Sequence, residues 1–297
     1  MKKACLFLCS LLVLAVFAGC AAPEAPADIA ATTLPVYEFT SALCSGTGLT
    51  VTRLVTEEVS CLHDYSLNVR QVKAAEAAKT LVISGAGLEE FLHDLIHGRD
   101  VIDASQGIAL LCPSDAQEEH EGHDHSHEGH HHEEDPHIWL SPAIAAQMAE
   151  NICSGLETRY PQHADTFRGN LAALQQQLQS LKDFGRASLS DLSCRELITF
   201  HDGFSYLAQA FDLTILRAVE EESGSEASAQ ELKELITLVT DHSLTAIFTE
   251  TNGADSAATV IARSTGASVF TLDMAMSGDS YFDAMYHNIR TLKEALQ

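Results

Sequence analysis

Short runs rich in β-branched residues alternate with amphipathic segments along most of this chain, and one much longer helical stripe interrupts the alternation near its middle. That rhythm constrains the fold more than any other feature. Parallel strands need long crossover connections, usually helices, so a βαβα order predicts parallel sheets covered by helices on both faces. In the first half IAATT (29–33), LTVTRLV (49–55), TLVIS (80–84) and VIDAS (101–105) read as strands. PVYEFTSALCSG, LNVRQVKAAEAAK and LEEFLHDLIHG read as the helices between them, the first ending on Gly46 and the third on Gly98. SPAIAAQMAENICSGLETRYP is a further helix, with Ser141 as N-cap and Pro142 in its first turn. The long stripe follows. Phe167, Leu171, Leu174, Leu178 and Leu181 recur at three and four within residues 162–189. The strands ELITF (196–200), LTILRAV (213–219), TAIFTE (245–250) and SVFTL (268–272) then resume the rhythm. The expectation is an α/β fold of two similar lobes, each a mainly parallel sheet flanked by helices, with one long helix between them.

The chain begins with MKK and then an apolar run too short for a comfortable membrane span, the pattern of a secretory leader. Small residues Ala18 and Gly19 precede Cys20, which resembles a bacterial lipobox although Phe17 stands where Leu is more usual. Cleavage before Cys20 and lipidation of that residue are expected. The tract AAPEAPAD reads as a flexible tether. The expected organisation is therefore a leader (1–19), a tether (20–27), a first lobe (28–160), a linker helix (161–189) and a second lobe (190–297). The formal charge is −25, and loss of Lys2 and Lys3 with the leader makes it −27, with 15 basic residues against 42 acidic. Such a chain repels nucleic acid and attracts cations. Beyond Cys5, Cys9 and Cys20 there remain Cys44, Cys61, Cys112, Cys153 and Cys194, an odd number with no CxxC pair. A disulfide framework and a zinc ribbon are both disfavoured.

Residues 113–136 interrupt the first lobe with almost no apolar content and read as a mobile loop. Within them His120, His123, His125, His127, His130, His131 and His132 fall in thirteen residues. Shared among so many exchangeable donors, metal coordination there is expected to be weak.

Better-placed donors lie elsewhere. DPHIWLSP puts His137 behind Pro136 at the entry to a helix, with Asp135 beside it as an outer partner for the ring. His201 directly follows ELITF, and His63 follows the second strand. In open α/β sheets, ligands gather beyond the carboxyl ends of strands. Asp202 reads as the cap of the following helix. Asp273 ends VFTLD and offers an oxygen ligand, with Glu250, ending AIFTE, as the reserve. His63, His137, His201 and Asp273 stand 74, 64 and 72 residues apart, so each lobe would contribute two ligands to a shared cleft. Three imidazoles and an oxygen suit tetrahedral Zn²⁺, whereas Mn²⁺ prefers more oxygen. HDLIH (93–97) resembles the HExxH of zinc proteases, but Asp94 is a methylene short of a general base, and the apolar residues Phe91, Leu92, Leu95 and Ile96 leave both histidines facing solvent. No G-x-S-x-G elbow or Walker A loop is present, and SGAGL lacks the third glycine of a dinucleotide fingerprint.

Together HDYSLNVRQVKAAEAAKTLVISGAGLE, DPHIWLSP, TFHDGFSYLAQAFDL, GSEASAQELKELITLVTDHSLTAIFTE and TLDMAMSGDSYFDAMYHNIRTLKEAL resemble the metal-specific solute-binding lipoproteins of bacterial ABC importers, the zinc (ZnuA-like) type, over about residues 28–296. The resemblance implies two lobes on a rigid helix and Zn²⁺ in the cleft on His63, His137 and His201, with Asp273 or water fourth. It further implies a monomer delivering the ion to a membrane permease, lipid-anchored on the outer face of the cytoplasmic membrane, with no enzymatic activity. Manganese-type relatives tend to carry Glu where this chain has His201. The chain departs from the common Leu-Asp-Pro at TLDMAMSG. Competing readings are a receptor for manganese or another divalent metal, a surface metal buffer or adhesin built on the histidine-rich loop, and a zinc hydrolase. Zinc titration of the mature protein with and without residues 117–134 separates the loop from the cleft: the tight site is expected to survive the deletion, and its disappearance would refute the cleft assignment.

Overall fold

The computed structural model describes residues 26–59, 62, 65–111, 134–219, 227–251, 253 and 255–297. The leader with Cys20, His63, and the seven histidines from His120 to His132 lie outside the described residues.

Two four-stranded sheets carry the fold. The first contains β1 (Ile29–Ala31), β2 (Val51–Arg53), β3 (Thr80–Ile83) and β4 (Val101–Asp103), in the order β2-β1-β3-β4. The second contains β5 (Glu196–Thr199), β6 (Thr214–Ala218), β7 (Ala246–Glu250) and β8 (Ser268–Leu272), in the order β6-β5-β7-β8. All pairings are parallel. The two lobes therefore share one strand permutation, as the repeated βα rhythm predicts. Their central strands β1, β3, β5 and β7 are apolar and buried almost throughout, as strands covered on both faces must be.

The helices follow from local chemistry. In α1 (Leu34–Cys44) Pro35 occupies the first turn. Asn68 and Gln71 form a reciprocal capping box on α2 (Val69–Ala77), and Ser228 and Glu231 do the same on α7 (Ala229–Asp241). The remaining helices are α3 (His93–Ile96), α4 (Pro142–Arg159), α5 (Ala164–Ser188), α6 (Ser205–Ala210), α8 (Ser256–Thr265) and α9 (Tyr281–Leu296). The long stripe is α5, which turns Phe167, Leu174, Leu178 and Leu181 inward against α1, α4 and α9. One apolar core runs without a break from Ile29 and Phe39 in the first lobe through Trp139 and Phe167 to Phe248 and Tyr281 in the second.

The segment after β8 stitches the lobes directly. Leu34 N–H donates to Met276 O (3.1 Å), Arg53 Nη1 to Gly278 O (2.7 Å), Trp139 Nε1 to Met274 O (2.7 Å), Tyr281 Oη to Trp139 O (2.8 Å) and Tyr281 N–H to Glu38 Oε2 (2.8 Å). Cys44, Cys153 and Cys194 are free thiols. Burial pushes Cys44 up to about 12 and Cys153 up to about 11, which leaves both unreactive.

Three sequence expectations about the first lobe change. Ser141 stands at the N-cap of α4 but its side chain makes no capping bond. The helix expected over LEEFLHDLIHG breaks into a 3-10 turn (Glu90–Leu92) and the single turn of α3. The physical reason is Glu89. Its carboxylate points inward and accepts from Thr32 Oγ1 (2.6 Å), Ser84 N–H (2.6 Å) and Gly85 N–H (2.9 Å). It thereby ties the ends of β1 and β3 together and holds the chain off a helical path. Gly85 is required there: its φ is +81°, and any Cβ would collide with the Asp103 carboxylate. The third change is that IAATT and TLVIS form shorter strands, with Thr33 Oγ1 2.9 Å from Ser84 Oγ just past their ends.

Complete burial raises the Glu89 carboxyl to about 7. The folded state then holds a proton that the unfolded chain has lost, so stability falls as pH rises from about 4.5 to 7 and is flat above. Glu89→Gln removes that dependence. Between pH 5 and pH 8 the variant should gain up to about 3 kcal/mol relative to the parent, read from metal-free thermal melts.

Candidate metal centre

The chain approaches the cleft through a closed neck. Asp135 N–H donates to Leu111 O (2.9 Å). Tyr206, from α6 in the opposite lobe, bridges the same two residues, accepting from Leu111 N–H (2.8 Å) and donating to Asp135 O (3.1 Å). Leu111 and Asp135, which flank the histidine-rich segment in sequence, are thus pinned to each other and to Tyr206.

Just beyond the neck, Asp135 Oδ1 accepts from His137 N–H (2.9 Å) and lies 2.8 Å from His137 Nδ1. An ionised carboxylate only accepts, so Nδ1–H donates and Nε2 is left for an ion. His137 is 2% exposed, and Ile138, Trp139 and Leu140 behind it form a fully buried 3-10 turn. The ring therefore has little freedom.

His201 follows β5 in the other lobe, on extended backbone, and is also buried. Its ring centre is 5.3 Å from that of His137, with the planes at 82°. With metal–nitrogen bonds of about 2.0–2.1 Å, two imidazoles sharing one tetrahedral ion sit roughly 5–6 Å apart centre to centre. Gly203 permits this approach. A Cβ there would stand 2.9 Å from His201 Cδ2 and 3.0 Å from His137 Cε1, and would collide with the Met274 methyl.

Two carboxylates lie against the His201 ring: Glu250 Oε2 is 3.8 Å from Nδ1, and Asp202 Oδ1 is 3.9 Å from Nε2. Asp202 caps nothing, contrary to the sequence expectation. It sits inside the 3-10 turn Asp202–Phe204, whose N-cap position falls to His201. Asp273 Oδ1 accepts from Ala275 N–H (2.7 Å), while its backbone exchanges two bonds with the Asn288 amide (2.7 and 2.6 Å). One Asp273 oxygen is thus engaged in its own turn, whereas Glu250 reaches toward a predicted ligand.

Near His63, Leu62 and Tyr65 are tied into the first lobe. Leu62 is buried, and Tyr65 N–H donates to Leu62 O (3.1 Å). Tyr65 Oη donates to Glu57 Oε2 (2.7 Å), and Gln71 Nε2 meets Tyr65 Oη (2.6 Å), Glu57 Oε2 (2.8 Å) and Leu54 O (2.8 Å). Burial and the Glu57 bond raise the Tyr65 phenol to about 12, so it stays a donor.

Among the described residues, then, His137 and His201 come together with Asp135 and Glu250 beside them. No group of three or more donors is arranged around a single point among those residues, and His63 lies outside them. The sequence did not single out Gly203 or Tyr206, because a glycine after His-Asp and a tyrosine in an amphipathic helix carry no signal of a long-range contact. Met274 was visible only as the departure from Leu-Asp-Pro.

Paired parallel lobes on one long helix, with a buried imidazole from each meeting between them, are the architecture of the two-lobed metal-binding solute receptors. The chain belongs to the family described as ZnuA, zinc-uptake complex component A, periplasmic, whose model matches residues 29–295. It is 31% identical to the zinc-binding lipoprotein AdcA of Streptococcus pneumoniae over 99% of this chain and 61% of that protein. This chain therefore spans less than two thirds of AdcA's length. It is 30% identical to a putative metal-binding protein of Treponema pallidum, over 78% of this chain and 76% of that one. Among solved structures it is similar to the Zn(II)-bound ZnuA-like domain of S. pneumoniae AdcA, with TM-score 0.74 and 27% identity, covering 91% of this chain and 99% of that domain.

The Asp135–His137 pair gives a direct test. Outer partners of metal-bound histidines typically contribute 10–100-fold in affinity. Asp135→Ala should weaken zinc binding by about that factor, measured by competition with a chromophoric chelator, while circular dichroism shows the fold retained.

Proposed function

We propose that the protein is the extracytoplasmic zinc receptor of an ABC importer, capturing Zn²⁺ between its lobes and releasing it to the membrane permease. The observation that carries this reading is the meeting of His137 and His201, buried, from opposite lobes, at 5.3 Å. The ligand set is His63, His137 and His201, completed by Asp273, Glu250 or a water molecule. Contact with His201 supports Glu250, and the strand-end position of Asp273 supports that residue. Nitrogen-rich coordination favours zinc over manganese. Support also comes from relatives whose names give zinc as what they bind.

The finer assignments belong to the same proposal. The seven histidines between His120 and His132 gather ions near the cleft. Cys20 carries the lipid that holds the receptor at the outer face of the cytoplasmic membrane. Among the described residues no helix is long and apolar enough to cross a membrane. The receptor works as a monomer and catalyses nothing: the carboxylates nearest the imidazoles, Asp135 and Glu250, lie against the rings rather than poised as a free general base.

A ligand that binds only the folded state stabilises it by RT ln(1 + [L]/Kd). Low zinc should raise the melting temperature of the mature protein, and His201→Ala should abolish most of that shift. An unchanged shift in the variant removes His201 from the ligand set. The shift should fade below about pH 6, because imidazoles must be deprotonated to ligate.

A further inference from the structure

HDLIH, excluded above as a protease motif, remains without a role. We propose that His93 and His97 form a second, exposed site for a nitrogen-seeking divalent ion such as Zn²⁺, Cu²⁺ or Ni²⁺, on the surface of the first lobe and separate from the cleft.

The geometry is that of a two-histidine chelate. His97 N–H donates to His93 O (3.0 Å), closing one α-helical turn that sets the two side chains on the same face. Their ring centres are 5.9 Å apart with planes at 52°. That distance falls within the roughly 5–6 Å expected when two imidazoles share one ion. Both residues are exposed, so the rings are open to solvent. His93 Nδ1 lies 3.4 Å from Asp94 Oδ1, a carboxylate on the nitrogen that an Nε2-bound ion leaves unused. This gives Asp94 a role even though it is too short to act as a base.

The turn is anchored rather than free. Leu92 is fully buried, and Phe91 packs edge-on against Tyr65 at 5.1 Å. On the far side the Arg99 guanidinium donates to Ala75 O (3.0 Å) and Ala78 O (2.9 Å). The backbone carrying the two histidines is thus held before any ion arrives, which lowers the ordering cost of binding. Two protein ligands leave the remaining positions to water, so the ion exchanges readily. The net charge of −25 draws cations toward the whole surface.

Diethyl pyrocarbonate labelling of the full mature chain, read residue by residue by mass spectrometry during a zinc titration, tests the site separately from every other histidine. Without metal, His93 and His97 should both be modified. As zinc rises, both should be protected over one common range, above the range that fills the cleft. In His97→Gln, His93 should lose its protection across that range. In His201→Ala, protection of the pair should persist. Labelling of His93 and His97 that zinc does not change overturns the proposal. So does protection of His93 that survives in His97→Gln, or protection of the pair that disappears in His201→Ala, which would make it an echo of cleft loading.

Discussion

The indole of Trp139 is the joint on which the two lobes meet. It is wholly buried; its Nε1 donates to Met274 O in the second lobe, and its own carbonyl accepts from Tyr281 Oη, also in the second lobe. Both bonds are out of water, where leaving either partner unpaired costs about 1–3 kcal/mol. The indole ring also stands 5.4 Å from the His137 imidazole. One residue, through its indole and its backbone carbonyl, therefore ties the lobes together next to a predicted ligand two residues upstream and the loop whose methionine methyl lies over Gly203. A core that runs continuously through both lobes makes the arrangement stiffer still. With α5 packed along it, a wide hinge opening would have to tear a single hydrophobic interior rather than draw apart a pair of independent ones.

The centre is built by the repeated topology. Each sheet places its second strand at one edge, beside the first, and threads its third to the other side. In both lobes the inner strands end where polar groups collect. In the first lobe these ends are closed internally by Thr32, Thr33, Ser84 and Glu89. In the second they carry His201 and Glu250, whose side chains face each other at 3.8 Å. Equivalent positions in the two halves thus take different work: one is knitted shut, the other presents donors.

Much of this was legible in the residues. The βα rhythm and the long stripe carried the lobes and α5, because apolar periodicity reports burial directly. The Asp-Pro-His order carried the Asp135–His137 contact, because it is local. What the sequence concealed was long-range or competitive. Glu89 read as one acid in an amphipathic helix, yet a buried carboxylate accepting three bonds outweighs the local helical preference. Asp202 looked like a cap and is none, while Ser141 takes its expected N-cap position without a side-chain capping bond. Tyr206 bridges to residues about 70 and 95 positions away, a distance over which pattern carries no information.

The neck at Leu111 and Asp135 has a consequence for how such a receptor can vary. Three hydrogen bonds among the described residues close it, made by two backbone amides, two carbonyls and one tyrosine hydroxyl. Those three bonds end on backbone groups of Leu111 and Asp135 and on the Tyr206 hydroxyl, and closing a longer loop costs only about 0.6 kcal/mol per doubling of its length. On the proposed ion-gathering role, histidines can be gained or lost there without altering the backbone groups that make these three bonds. Tyr206 is in effect a clasp set from the second lobe across the two ends of a first-lobe segment, so the points where that segment begins and ends are held by a residue far away in the chain.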